Sequence, residues 1–417
     1  MLDPALGIQR AYLALTASTT VAASVIWGVN TLFLLDAGLS NTEAFLANAF
    51  FTLGMVLFEV PTGVVADTRG RRFSYLLGGG TLLVSTLLYV GMWAIRAPLW
   101  GWAIASVLIG LGFTFLSGAT EAWLVDALHA TGFTGSLESV FGRAQVVAGI
   151  AMLAGSVLGG VIAQVTDLGV PYLLRAGLLT ISLIIAWRFM RDLGFTPDAH
   201  ATPGAAVRSV LAGAVEDGLR NRPVRWLMLA APFTSGIGIY IFYALQPFLL
   251  QLYGQPGAYA IAGLASALVA GAQILGGLLV GVVGRWFTRR TDALILQVAL
   301  SAVLLGVLAW STNLVMALIV VAAWAMIGAI GGPLRQSFLN GEIPSGRRAT
   351  VLSFDSLMGS AGGVVIQPGL GRVADLSGYP GSFAVAALIQ SVAIPFAFLA
   401  RREHAASDPI ERRPEAG

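Results

Sequence analysis

A chain of 417 residues that is 57% apolar and only 11% charged cannot clothe itself in a polar surface, so its outside must face lipid. Its basic residues are all arginine, which removes lysine chemistries such as Schiff bases and P-loops, and the net charge of +3 reflects arginine-bearing loops rather than nucleic-acid binding. With no cysteine there is no disulfide framework, thiolate metal site or cysteine nucleophile.

A membrane-crossing helix needs about 20 mostly apolar residues. Twelve such runs occur, over residues 12–35, 43–66, 74–95, 100–125, 141–165, 170–190, 225–251, 256–284, 292–311, 314–337, 350–374 and 380–400. The first is too long for a signal-peptide core and reads as a retained helix. Residues 1–190 therefore form one group of six, and residues 224–400 a second.

Between them lies the polar segment 191–223. Its part FTPDAHATPGA reads as linker, while Val207, Val210, Leu211, Val215 and Leu219 recur at helical spacing among Arg208, Glu216 and Asp217. That spacing predicts an amphipathic helix along the membrane surface. The tail 401–417 is charged and poor in apolar residues, which predicts disorder.

An even number of crossings puts both termini on one side. Of the 24 arginines, 21 fall on that side and only Arg96, Arg175 and Arg372 on the other. Arginine excess marks the cytoplasmic face, so both termini are expected on the cytoplasmic side of a bacterial-type plasma membrane.

The most charged turn is GVVADTRGRR at 63–72, between the second and third runs. Gly63 is placed for close helix contact. Asp67 is placed to accept from N–H groups at a helix N-terminus, and Arg71 to pair with Asp67 or with another carboxylate. The stretch is echoed by GVVGRWFTRR at 281–290, which lacks the aspartate. GRAQVVAGIAMLAGSVLGG at 142–160 is likewise echoed by RRATVLSFDSLMGSAGG at 347–363, so the two halves repeat.

G-x-x-x-D-x-x-G-R-R between the second and third helices resembles the loop signature of the major facilitator superfamily of secondary transporters. The resemblance implies an all-α polytopic fold, with twelve helices in two pseudo-symmetric six-helix bundles. It also implies a gating motif of Gly63, Asp67, Gly70, Arg71 and Arg72, which latches the halves in the outward-open state and releases as the cytoplasmic side opens. EVPTG before the loop, SGATEAWLVD in the fourth run and the glycines Gly149, Gly155, Gly159 and Gly160 of the fifth resemble the bacterial drug:proton antiporter members. Two departures stand out. The fifth run lacks the usual proline, having Ser156 and Val157 there, and the fourth lacks the arginine of an R-x-x-x-G setting, so no arginine-centred proton relay carries over.

Carboxylates inside apolar runs are functional candidates, because low dielectric lets such a group hold a proton and give it up when water returns. Glu59, Glu121, Asp126 and Asp355 are the proton-coupling candidates. For Glu121 the competing expectation is structural pairing with Arg143 or Arg335. Thr114, Ser117 and Glu121 are spaced three and four apart, as one polar face. Trp27 and Asn30 lie with Thr20, Ser24 and Thr31 on the first run, and Tyr240, Tyr243 and Gln246 recur every three residues on the seventh. These are cavity candidates, with helix–helix hydrogen bonding as the alternative. Pro232 and Pro247 flank the seventh-run stretch and permit kinks.

The expected function is secondary active transport: proton-coupled efflux of small apolar or cationic, drug-like compounds by alternating access. The proton gradient supplies the energy, without a cofactor. The expected partners are a small-molecule substrate and the lipid bilayer, with no nucleic acid, and the chain is expected to work as a monomer. The alternative is an uptake symporter or facilitator for a small polar metabolite, and more remotely a membrane sensor or enzyme. His129, His200 and His404 show no metal-ligand spacing such as H-E-x-x-H, so neither catalytic residues nor a metal are expected.

Overall fold

The structure is a computed structural model that describes residues 4–197, 202–344 and 347–410. Regular structure among them is helical apart from one isolated bridge between Arg289 and Pro409. By contact the chain divides into two compact units: Met1–Val207 with Gly254–Ala267, and Arg208–Tyr253 with Leu268–Gly417.

In the first unit α1 (Pro4–Ser24) and α2 (Asn30–Asp36) form the first crossing, followed by α3 (Asn41–Arg69) and α4 (Arg71–Ala94). The fourth crossing is α5 (Leu99–Leu116) with α6 (Ala119–Ala130), and α7 (Leu137–Val165) and α8 (Val170–Phe189) complete six. Local chemistry sets these ends. Ser40 and Glu43 close a reciprocal capping box at the start of α3, and Ser136 caps α7. The α3–α4 connection is a single residue, Gly70 at φ 102°, a conformation that only glycine adopts without strain. Two expected helices are broken. The first run gives way to turns over 25–29, and the fourth stops at Ser117 and restarts after Gly118 at φ 70°.

The segment between the groups of six is helical over α9 (Pro203–Gly213), which continues as a π-helical turn over Ala214–Leu219. Glu216 and Asp217 of that turn ion-pair with Arg347 at 2.6 and 2.7 Å. Then come α10 (Arg222–Tyr253), α11 (Tyr259–Gly284), α12 (Arg290–Ala309), α13 (Leu314–Glu342), α14 (Arg348–Ser391) and α15 (Ala393–Arg402). Pro232 and Pro247 sit inside α10, which stays a continuous helix. At 44 residues α14 would be about 66 Å long if straight, over twice the hydrocarbon thickness. It instead turns at Gly378, φ 70°, and so supplies two crossings.

Among the described residues, ten segments are long and apolar enough to span a bilayer. One of them, Thr350–Arg402, holds two crossings, and the broken α1–α2 pair adds another, which makes twelve. Side chains such as Leu278, Val365 and Leu388 stand about 70% exposed on these helices, the pattern of a surface solvated by lipid. The fold is that of an all-α polytopic membrane protein.

Each unit has its own core. In the first, Tyr12, Leu15, Tyr75, Trp123, Leu124 and Ala186 pack together, and in the second Val224, Met228, Leu294, Phe338 and Val351 do. Close backbone approach occurs where α7 presents glycine: a Cβ on Gly159 would fall on the Val25 carbonyl, and one on Gly160 would lie 2.8 Å from the Tyr259 carbonyl. Gly63 needs no such account, since a Cβ there would meet nothing within 4 Å. The close contact expected of Gly63 belongs instead to these glycines of the fifth crossing.

The tail corrects another expectation. Residues 403–410 are ordered against α12 and α13, because their polar groups find partners there. Asp408, 2% exposed, accepts from Thr291 N and Thr291 Oγ1 at 2.9 Å each, and Ser407 N donates to Glu342 Oε1 at 2.7 Å. Residues 411–417 lie outside the described residues. The first unit uses the same device. Asp192, just after α8, accepts from the backbone N–H of Arg72, the second residue of α4, at 2.9 Å. In each unit an aspartate following the sixth crossing caps the N-terminus of the third, where the helix dipole favours an anion.

Candidate functional site

The signature loop is assembled within the first unit. Arg71 Nη1 donates to Asp67 Oδ1 at 2.5 Å, and Arg71 Nε lies 3.8 Å from Asp126 Oδ2 of α6. The guanidinium also sits over the Phe195 ring, 5.8 Å from its centroid. Arg72 Nη2 donates to the Trp187 carbonyl at 2.8 Å. Gly70 is constrained twice, by its positive φ and by Asp192, whose Oδ2 lies 2.5 Å from where a Cβ would be. The motif therefore ties α3, α4, α6 and the end of α8 together, with Asp126 in this cluster rather than in a cavity.

A cavity of about 620 Å³ opens inside the same unit. Tyr12, Trp27, Tyr75, Phe113 and Phe141 supply aromatic walls, Thr16, Thr19, Thr20 and Ser117 supply hydroxyls, and among the described residues Glu121 is the only charged side chain lining it. Sequence places Glu121 within a span. The structure puts it in the first turn of α6, just past the Gly118 break, exposed to the cavity. Neither expected arginine pairs with it. Arg143 donates to Gln9 Oε1 at 3.1 Å, and Arg335 pairs with Asp355. Among the described residues Glu121 makes no ion pair.

The break also divides the expected polar face of Thr114, Ser117 and Glu121. Thr114 is buried and donates to the Leu111 carbonyl of its own helix at 2.8 Å, while Ser117 and Glu121 reach the cavity. Glu59 stands at the edge of this group, its Oε1 accepting from Ser117 Oγ at 2.9 Å.

The remaining candidates have structural surroundings. Asn30 is buried, donating to Asn48 Oδ1 and accepting from Tyr172 OH, both at 2.9 Å. Tyr240 is buried with its hydroxyl on Ser382 Oγ at 2.6 Å, and Gln246 is buried too. Asn30, Tyr240, Tyr243 and Gln246 do not line this cavity. Asp355 is clamped by Arg335 through two contacts of 2.6 Å, so its charge is already matched.

Sequence reasoning missed Arg175. Counted there as an external charge, it is 2% exposed inside α8, with Nε on Thr86 Oγ1 at 3.0 Å and its guanidinium 5.6 Å from the centroid of Phe113, a cavity wall. The available signal was its position six residues into an apolar run, where an arginine is a functional candidate by default.

Twelve crossings, an internal cavity bearing one carboxylate, and a charged clamp at the end of its helices define a polytopic membrane transporter. The same fold recurs in solved transporters. The nucleoside transporter NupG matches with TM-score 0.78 at 9% identity, covering 95% of this chain and 99% of that one. A D-xylose-proton symporter gives 0.67 at 14%, covering 94% and 96%, and an occupied, inward-facing bacterial homolog of the human lysosomal transporter Spinster gives 0.71 at 16%, covering 99% and 100%. The Major Facilitator Superfamily model matches residues 12–367, and the chain belongs to that superfamily. An uncharacterized MFS-type transporter of Methanocaldococcus jannaschii is 22% identical over 180 residues, a stretch spanning 43% of this chain and 45% of that relative.

Proposed function

We propose that the protein exports small cationic or apolar, drug-like compounds in exchange for protons, by alternating access. One observation carries this reading: among the described residues, Glu121 is the only charged side chain lining a cavity walled by five aromatic residues, and it has no ion-pair partner there. Aromatic faces attract cations, and a lone carboxylate in a low-dielectric cavity attracts them more strongly. A proton and an organic cation then compete for one carboxyl group, which is the elementary requirement for exchange. Glu59, whose carboxylate accepts from the cavity-lining Ser117, takes part in the same proton transfer in this reading.

The gating motif of Gly63, Asp67, Gly70, Arg71 and Arg72 acts as a latch that holds the outward-open state and releases as the cytoplasmic side opens. The arginine-rich helix ends and both termini lie on the cytoplasmic side of the plasma membrane, and a single copy suffices. The proton gradient is the energy source.

The test is equilibrium binding of tetraphenylphosphonium to the purified protein. Two unit charges about 5 Å apart at an effective dielectric of about 20 attract by about 3 kcal/mol. Glu121→Gln is therefore expected to weaken binding by about 100-fold. Unchanged affinity in that variant would remove Glu121 from the site and the reading with it.

A further inference from the structure

We propose that the second unit holds a binding site of its own, for an uncharged, hydroxyl-rich small molecule about the size of a hexose or nucleoside. A cavity of about 600 Å³ lies wholly within that unit. It is lined by Gln273 of α11, Gln297 and Ser301 of α12, Trp324 and Arg335 of α13, and Gln390 of α14. Its size falls within the usual range for small-molecule pockets.

The lining chemistry decides the class of ligand. Among the described residues Arg335 is the only charged side chain that lines the cavity, and Asp355 matches it through two contacts of 2.6 Å, so the site offers no net charge to an ion. What remains is amide and hydroxyl. A glutamine presents a donor and an acceptor side by side, which suits a hydroxyl group that is both. Trp324 adds a flat apolar face of the kind that packs against a sugar ring or a base.

Gln390 gives the independent sign that something binds. It is 3% exposed, it lines the cavity, and its Oε1 has no hydrogen-bond partner among the described residues. A buried amide oxygen left unpaired is a standing cost in stability, and a ligand hydroxyl donating to it removes that cost. Three amide side chains facing one space inside membrane helices are hard to account for as packing alone, since polar groups there mark ligand pathways. The chemistry also differs from the first unit's cavity, which carries an unmatched carboxylate.

The test is isothermal titration of the purified full-length protein with uridine, with D-glucose and, separately, with tetraphenylphosphonium. At least one neutral probe is expected to bind one to one. Gln390→Leu keeps the volume but removes the amide, and is expected to weaken that binding about 10-fold, the worth of one well-made neutral hydrogen bond. If that variant fails to elute as the wild type does, Trp324→Ala tests the same cavity from another helix and is expected to lower affinity similarly. Absence of binding by both neutral probes up to millimolar concentration would overturn the proposal. So would binding that survives Gln390→Leu and Trp324→Ala but is lost in Glu121→Gln, which would put the ligand in the first unit. The tetraphenylphosphonium titration reports on the export reading alone, so the two can fail separately.

Discussion

Asp355→Asn separates two roles that a carboxylate inside a membrane helix can have. The Asp355 side chain is 10% exposed and that of Arg335 is 25% exposed. Removing one partner from a fully buried pair costs about 3–5 kcal/mol, because the other charge is left uncompensated. Here Arg335 keeps some access to water and retains the Leu227 carbonyl at 3.1 Å. Those recover part of the loss, and about 2–3 kcal/mol is expected. The double variant Arg335→Met with Asp355→Leu leaves no orphaned charge and is expected to be more stable than Asp355→Asn. Thermal unfolding followed by intrinsic tryptophan fluorescence, in one detergent, ranks the three proteins. Below its unfolding temperature Asp355→Asn should still couple to protons. A variant as stable as the wild type but uncoupled would refute the structural assignment and make Asp355 the proton carrier.

Two further substitutions probe the helix ends. Gly70→Ala meets both a positive φ and the Asp192 carboxylate, and is expected to destabilise the first unit by about 1–3 kcal/mol, whereas Gly63→Ala, facing open space, should be near neutral; unfolding temperatures compare them. Asp408→Ala removes the cap on α12 and is expected to cost about 1–2 kcal/mol, with faster proteolysis after Arg402 as the readout.

The fold was legible in the sequence because lipid demands long apolar runs, and a turn as charged as GVVADTRGRR can sit only outside the hydrocarbon. The breaks were less so. Gly118 and Gly378 read as two among 51 glycines, and only their positive φ shows that they end helices. Ranking the carboxylates needed distances. Glu121 and Asp355 look alike in an apolar run, yet one faces a cavity and the other lies 2.6 Å from an arginine twenty residues away in sequence. Spacing misled at Tyr240, whose hydroxyl is taken by Ser382 of α14, a partner 142 residues on that periodicity cannot reveal. Arg175 was misplaced because counting charges by side assumes that each lies at a helix end, and this one is held by Thr86 inside the unit. The tail was misjudged because composition does not register that Asp408 finds a helix N-terminus to cap.

The measurement that bears most directly on the central claim is proton release from inverted membrane vesicles carrying a preset pH gradient, triggered by a lipophilic cation. The account predicts that tetraphenylphosphonium dissipates the gradient in vesicles with the wild-type protein. It predicts no dissipation with Glu121→Gln, at equal amounts of inserted protein. Dissipation of equal size with Glu121→Gln, or none with the wild type beside a clear response to a sugar, would contradict it.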